Sequence, residues 1–153
     1  TYVDCSVSEN FKYWKYFKEW CNNQIGFNSV DENGKPFSLD KDILVKGNKI
    51  YSGDTCCFVP QEINTLLTTC KSKRGEYPIG VSYDRSKVLP SQSTVSIDGK
   101  NHRLSRCATA EEAFYIYKQT KENIIKSVAE KYKDLIDQRT YEALMNYQVE
   151  ITD

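Results

Sequence analysis

The stretch that decides the fold is FSLDKDIL at residues 37–44, followed by a Gly47-Asn48 turn and then by CCFVPQEIN at residues 56–64. The first run mixes apolar and acidic residues and predicts a strand. The second predicts a short strand that leads through Pro60 into a helix. Proline suits a first helical position, because its missing N–H would be unpaired there in any case. The sequence therefore predicts strand, turn, strand and helix over about residues 37–67.

The predicted strand–turn–strand–helix segment has oxygen-bearing side chains on its first strand and on its helix. Asp40 lies on the predicted first strand, and Asn64 lies in the first turns of the predicted helix. A carboxylate and an amide oxygen brought together can hold one hard divalent cation, Mg²⁺ or Mn²⁺. Strand alternation puts Asp42 on the same face as Asp40, where it adds a metal oxygen, and turns Lys41 to the opposite face. The alternative is an exposed strand edge without a metal.

Composition indicates a globular protein. The chain has 153 residues, 39% hydrophobic and 27% charged, which is enough for one ordinary domain or two small ones. No apolar run is long enough to span a membrane and no signal peptide is visible, so we expect a cytoplasmic protein without a membrane partner. Because Thr1 stands where an initiator Met would, we expect a processed chain or a segment of a longer one.

The cysteines do not predict a zinc site. Six cysteines without a Cys-x-x-Cys pair, together with one histidine, make a zinc knuckle a poor fit. We interpret them as reduced thiols, most of them packed as small apolar groups.

Charge is distributed unevenly although the net charge is zero. Residues 1–67 carry a net charge of −2, residues 68–108 carry +5 and residues 109–153 carry −3. A basic middle between acidic ends favours a surface that faces a polyanion, and the alternative is a solvated loop region with incidental lysines.

An amphipathic helix is predicted over residues 6–21. Ser6 and Glu9 have the spacing of a capping box, and aromatic residues recur every three or four positions after them. Lys12, Lys15 and Lys18 form a basic edge. That edge is either the solvated side of a core helix, which we favour, or a surface for bases and phosphates.

The sequence after residue 67 predicts a linker, a sheet and two helices. Residues 68–78 are basic and lack a hydrophobic period, which indicates a linker. Strands are predicted over residues 79–83, 93–97 and 101–107, with a tight hairpin turn at Asp98-Gly99. Thr109 and Glu112 form a second capping box, which opens a long helix to about Tyr132. A shorter helix is predicted over residues 137–147.

The run CCFVPQEIN after a strand and a turn resembles the end of an HNH endonuclease core of the phage homing type. That resemblance implies a ββα-metal fold in which Asp40 and Asn64 bind the metal. The family has its general-base histidine directly after the first ligand, whereas this chain has Lys41. The only histidine of the sequence, His102, lies far from this motif, in the strand predicted over residues 101–107.

The segments PIGVSY and TVSIDGKNHRLSRCATAEEAFYIY resemble the APETALA/ethylene-response-factor type of DNA-binding domain, which also follows HNH cores in phage homing endonucleases. Together the resemblances imply an α+β chain with a ββα-metal core followed by a three-stranded antiparallel sheet packed on a long helix. The corresponding division is an HNH-like domain with its N-terminal helix at 1–67, a basic linker at 68–78, and a DNA-binding domain at 79–153. The cell implied is a phage-infected bacterium.

In that family the exposed sheet face lies in the major groove of duplex DNA. Family contact positions are occupied here by Ile79, Ser82, Asp84, Ser96, Asn101 and Arg103. Several family arginines and tryptophans are absent, and Arg85, Lys87, Lys100 and Arg106 are candidates to replace them. Lys71, Lys73 and Arg74 of the linker are expected to contact phosphates, which hold register without reading sequence.

Two functions follow from the resemblance. One is a metal-dependent endonuclease that hydrolyses phosphodiester bonds in DNA. The other is a catalytically degenerate DNA-binding protein, or a regulatory protein that acts through a protein partner. Lys41 in place of the family's histidine is the residue that distinguishes these two functions, because a lysine acts as a general base only if its pKa is strongly lowered. If it stays charged, it can instead hold the scissile phosphate.

Overall fold

The structure, a computed structural model, describes residues 4–68, 76–97 and 99–153. It confirms the α+β class. Within those residues the α-helices are α1 (Trp14–Asn22), α2 (Gln61–Leu67), α3 (Ala110–Tyr132) and α4 (Gln138–Met145). The strands are β1 (Ser6–Val7), β2 (Ser38–Asp40), β3 (Ile50–Tyr51), β4 (Cys57–Val59), β5 (Val81–Tyr83), β6 (Ser91–Ile97) and β7 (Lys100–Cys107).

The chain divides into two compact units. The first unit comprises Thr1–Thr65 and Val128–Asn146, and the second comprises Leu66–Ser127 and Tyr147–Asp153. Residues 128–146 were expected in the second domain, but they pack in the first unit. The reason lies in contacts far apart in sequence: Tyr132 donates its hydroxyl to Glu62 at 2.7 Å, and Lys131 pairs with the same carboxylate at 2.8 Å.

In the first unit, β2 and β4 pair antiparallel and α2 follows directly. Asp40 lies opposite Cys57, and Ser38 lies opposite Val59. The three residues of β4 are buried, because both faces of this strand are covered. The order of strand, strand and helix therefore occurs in the stretch that predicted it, although the first strand ends at Asp40 and not at Leu44.

The N-terminal segment differs from the predicted helix over residues 6–21. Ser6 and Val7 form β1, which pairs in parallel with Ile50 and Tyr51 of β3. A 3₁₀ turn follows at Asn10–Lys12, and α1 begins only at Trp14. Pairing with the backbone of β3 therefore takes Ser6 away from the predicted helix cap.

An aromatic cluster forms the inner side of α1. Phe11 lies 4.8 Å from Trp20 and 5.1 Å from Phe17, measured between ring centroids. Trp20 in turn contacts Phe58 of β4 at 6.1 Å. Buried aromatic rings contribute large apolar areas, so this cluster joins α1 to the β2–β4 pair.

In the second unit, β5, β6 and β7 form an antiparallel sheet in that order. Val95 of β6 is buried with Phe114 and Tyr117 of α3 and with Val149. The capping box at the start of α3 is formed in both directions: Thr109 N donates to Glu112, and Glu112 N donates to the Thr109 hydroxyl at 3.2 Å. Asp98 of the hairpin turn, and Lys71, Lys73 and Arg74 of the linker, lie outside the described residues.

Candidate functional site

The sheet of the second unit has one face in the core and one face of polar side chains. Ser96 lies opposite Asn101, and Thr94 lies opposite Arg103. Directly paired residues project to the same face, and faces alternate along a strand. Since Val95 between them is buried in the core, these four side chains lie on the face that points away from α3. We call it the outer sheet face.

All three strands contribute residues to the outer sheet face. Ser82 of β5 lies opposite Gln92, and Gln92 lies opposite Arg106. An irregularity between Ser93 and Thr94 shifts the register on β7 by one residue, which restores Arg106 to the same face as Arg103. The structure thus brings Ser82, Ser96, Asn101, Arg103 and Arg106 to one face.

Arg106 is already engaged within the protein. Its guanidinium donates to the carbonyl of Leu89 at 3.2 Å and lies 3.8 Å from the Asp84 carboxylate. Asp84 also accepts hydrogen bonds from the backbone N–H and hydroxyl of Ser86, and these bonds lower the pKa of its carboxyl group. Asp84 and Arg106 therefore order the β5–β6 loop, whereas Arg103 is exposed on the outer sheet face.

The remaining predicted contact residues fall into two groups. Arg85 and Lys87 are exposed in the β5–β6 loop, and Lys100 is exposed at the start of β7. Ile79 is different, because it packs against the core of Val95 and Tyr117 and so lies away from the outer sheet face. Thr94 belongs to that face but was missed, although its alternation with Val95 is visible in the sequence.

The acidic residues of the first unit form a turn and not a continued strand. Asp40 Oδ1 accepts the backbone N–H of Asp42 at 2.8 Å and that of Ile43 at 3.0 Å. Aspartate side chains commonly compete in this way with the hydrogen bonds of a ladder. Asp42 therefore leaves the strand, and the expected alternation of Asp40, Lys41 and Asp42 was wrong. We call residues 40–43 the acidic turn.

The surroundings of Asp40 disfavour the ionised form of its carboxyl group. Burial raises the pKa of its carboxyl group, the charge and hydrogen bond of the nearby Asp42 carboxylate raise it further, and the two backbone donors act in the opposite direction. Two carboxylates this close repel each other, and a cation between them would reverse that repulsion.

Lys41 pairs with the acidic turn. Its ammonium lies 3.3 Å from Asp42 Oδ2 and 5.7 Å from the centre of the Tyr51 ring, and its side chain is only 12% exposed. Burial alone would lower the pKa of Lys41, but the Asp42 carboxylate, assisted by Cys5 and Tyr51, raises it above the ordinary value. Lys41 is therefore a fixed cation at neutral pH, which removes the basis for a general-base role.

Asn64 lies on α2, one turn after Pro60, and its backbone N–H donates to the Pro60 carbonyl at 3.3 Å. Its side chain is half-buried. Direct contacts thus join Asp40, Lys41 and Asp42. The position of Asn64 is set by α2, the helix that follows β4.

The donor atoms of the acidic turn suit a hard cation. Asp40 Oδ2 and the Asp42 carboxylate are oxygens, which Mg²⁺ and Mn²⁺ prefer, and the amide of Asn64 is a further oxygen donor of the same kind. Among residues 4–68, 76–97 and 99–153, no group of three or more His, Cys, Asp and Glu side chains is arranged to hold a metal ion. A cation here would therefore need Asn64, backbone oxygens or water as additional ligands.

Comparison of this chain with family models, with curated proteins and with solved structures finds no match. Within the described part of the chain, no helix is both long and apolar enough to cross a membrane.

Proposed function

We propose that this protein binds duplex DNA through the outer sheet face. The observation that carries the proposal is the register, which aligns Ser96 with Asn101 and Thr94 with Arg103 on the side opposite the core. A β-sheet face of this width can enter the major groove, where arginine and asparagine side chains form bidentate hydrogen bonds with guanine and adenine.

Charge around this face supports the same proposal. Arg85, Lys87, Lys100 and Arg103 are all exposed, and segment 68–108 has a net charge of +5. Lysine and arginine side chains that neutralise phosphates release counterions, so affinity for DNA falls steeply as salt rises. The linker residues Lys71, Lys73 and Arg74 would add to this electrostatic component.

The first prediction tests the outer sheet face. We expect Arg103→Ala to weaken duplex binding by about 1–3 kcal/mol, because an exposed arginine on this face contacts a base or a phosphate. Fluorescence anisotropy over a salt series measures the affinity and its salt dependence. Arg139→Ala is the matched control, since Arg139 is an exposed arginine of the first unit that pairs with Asp137. Equal affinities for the two variants would show that the outer sheet face does not bind DNA.

We infer a second activity, metal-dependent cleavage of the bound DNA, so that the protein is an endonuclease of the HNH homing type. The order β2, β4, α2 and the paired Asp40 and Asp42 carboxylates support it. A divalent cation, when bound, would neutralise charge that develops on the phosphate and on the leaving oxygen. Asp40 and Asp42 would hold it with Asn64, and Lys41 would hold the scissile phosphate by its charge.

The competing proposal is a degenerate core that binds DNA or a protein partner without cutting. The ion pair of Lys41 with Asp42 favours it, because the ammonium occupies a carboxylate that a metal would otherwise use. A plasmid-nicking assay with Mn²⁺ or Mg²⁺ against EDTA separates the two. Nicking that disappears with EDTA supports the endonuclease, and no nicking in either condition supports the degenerate core.

The second prediction concerns Lys41. We expect Lys41→Arg to retain part of the nicking rate and Lys41→Met to lower it about a hundredfold, since only the first substitution keeps the charge. We expect Lys41→His to raise the rate, because a neutral imidazole can take a proton from the attacking water near its ordinary pKa of about 6.5. Because the pKa of Lys41 is raised, the parent should not lose activity on mild acidification through this residue.

The nicking rate of each variant on supercoiled plasmid checks this prediction. Lys49→Met is the control, since Lys49 is an exposed lysine that pairs with Asp4. Full activity of Lys41→Met would exclude a role for this side chain in cleavage.

A further inference from the structure

Two aromatic side chains at the start of α1 are largely exposed. Tyr13 has 68% of its surface exposed and Trp14 has 71%. Trp14 lies near only one ring, that of Phe17, at 6.4 Å among the described residues. Large rings left in water lose the stabilisation that burial would give them, and their faces stay available to a flat partner.

Lysines lie close in sequence to these rings. Trp14 and Lys18 are four residues apart on α1 and therefore lie one above the other, and Lys15 is adjacent to Trp14. Both lysines are exposed, and so is Lys12 in the preceding turn, where it pairs with Glu9. We call Tyr13, Trp14, Lys15 and Lys18 the N-terminal patch.

The apolar side of α1 is used elsewhere. Cys21 is buried, and Phe17 and Trp20 pack on Phe11 and on β4. What remains exposed on this segment is the rings of Tyr13, Trp14 and Tyr16, the ammonium groups of the lysines and the carboxylate of Glu19, without exposed aliphatic residues between them. A membrane-binding helix needs a continuous apolar face, and the centre of a protein–protein interface is poor in lysine. Neither chemistry matches the N-terminal patch.

We propose that the N-terminal patch binds unpaired bases of a single-stranded nucleic acid. Tyr13 and Trp14 stack on successive bases, and Lys15 and Lys18 contact the phosphates beside them. Stacking platforms with basic surroundings are the general means of holding single strands, because every base has a flat face and every nucleotide a negative charge. This surface belongs to the first unit, whereas the outer sheet face belongs to the second, and it requires neither a metal nor cleavage.

The experiment uses the full chain and two probes of about 15 nucleotides, a size that one such surface can engage. One probe is oligothymidylate and the other is an abasic strand with the same phosphates. We expect oligothymidylate to bind more tightly and to quench tryptophan fluorescence. Tyr13→Ala with Trp14→Ala should weaken oligothymidylate binding by about tenfold or more and leave binding of the abasic strand unchanged.

Two further variants complete the test. Lys15→Ala with Lys18→Ala should weaken both probes, whereas Trp14→Phe should retain most of the affinity because a ring remains. Tyr115→Ala is the matched control, since Tyr115 is an exposed aromatic residue on α3, in the second unit. Equal binding of the two probes, or unchanged oligothymidylate binding by the Tyr13 and Trp14 variant, would overturn the proposal. Comparison with an RNA strand of the same length then shows which sugar is preferred.

The proposed duplex binding can fail independently. Arg103→Ala should weaken duplex binding and leave oligothymidylate binding unchanged, and the Tyr13 and Trp14 variant should do the reverse. If either of these variants weakened duplex binding and oligothymidylate binding to the same extent, one surface would bind both, which would overturn the N-terminal patch as a separate site.

Discussion

Gly80→Ala is expected to unfold the second unit under mild conditions. Gly80 has φ +75°, a conformation that costs an L-residue about 1–2 kcal/mol. A Cβ at this position would lie 2.1 Å from Cδ2 of Tyr117, which is buried in the core with Val95 and Phe114. Because the ring cannot move without disturbing that core, overpacking adds about 1–3 kcal/mol. Together these effects remove a large part of the 5–15 kcal/mol that stabilises an ordinary domain.

Gly99→Ala separates the two contributions. Gly99 has nearly the same backbone angle, φ +73°, but among the described residues, its chain neighbours aside, no heavy atom lies within 4 Å of the Cβ that the substitution adds. It should therefore show only the backbone cost. Urea unfolding followed by circular dichroism, together with duplex-DNA binding, measures both variants. Equal losses of stability would mean that Tyr117 moves aside freely, contrary to the packing argument.

The second unit was largely predictable because its signals are local. The hairpin is marked by Asp98-Gly99 between alternating polar and apolar residues, and the start of α3 is marked by Thr109 and Glu112. The buried stripe of α3 was only partly foreseen. Spacing predicts a stripe of Ala113, Ile116, Tyr117, Ile124, Val128 and Tyr132, whereas Phe114, Ile125 and Ala129 are buried as well, because α3 contributes residues to both units.

The first unit was less predictable because its contacts join distant residues. Ser6 donates its N–H to Lys49, a residue 43 positions away, and that bond replaces the helix cap that Ser6 and Glu9 suggested. The side chain of Glu62 likewise binds Lys131 and Tyr132 of α3. Spacing within one segment carries no information about such partners.

The acidic turn shows the same limit at short range. Residues 37–44 have the composition of a strand, and alternation then assigns a face to each of Asp40, Lys41 and Asp42. Whether Asp40 extends the strand or bonds to the N–H groups of Asp42 and Ile43 depends on a balance of similar free energies. The sequence thus identified these residues as candidates, and only the structure shows that Lys41 pairs with Asp42 and keeps its charge.

Asp40→Asn is expected to abolish metal-dependent nicking while stabilising the fold at neutral pH. Asn can still accept the two N–H bonds at its Oδ1 atom, and its amide can donate to the Asp42 carboxylate. Removal of the charge should lower the nicking rate at least about a hundredfold. The pKa of Asp40 is raised in the folded state, so its stabilising contribution is full below the ordinary carboxyl pKa and is lost as pH rises through the raised value. The gain from Asn should therefore appear at neutral pH and vanish in acid.

Thermal unfolding at several pH values, with and without Mn²⁺, checks both effects. For the parent, Mn²⁺ at about a hundred times its Kd should add about 2.7 kcal/mol, and for Asp40→Asn it should add little. Asp31→Asn is the control, because Asp31 Oδ1 accepts the N–H groups of Asn33 and Lys35 in a similar turn. Destabilisation of Asp40→Asn at neutral pH would contradict the charge argument, and retained nicking would exclude Asp40 as a metal ligand. Metal-dependent stabilisation without nicking would instead favour the degenerate core, because the acidic turn would then bind its cation while the charged Lys41 supplies no base.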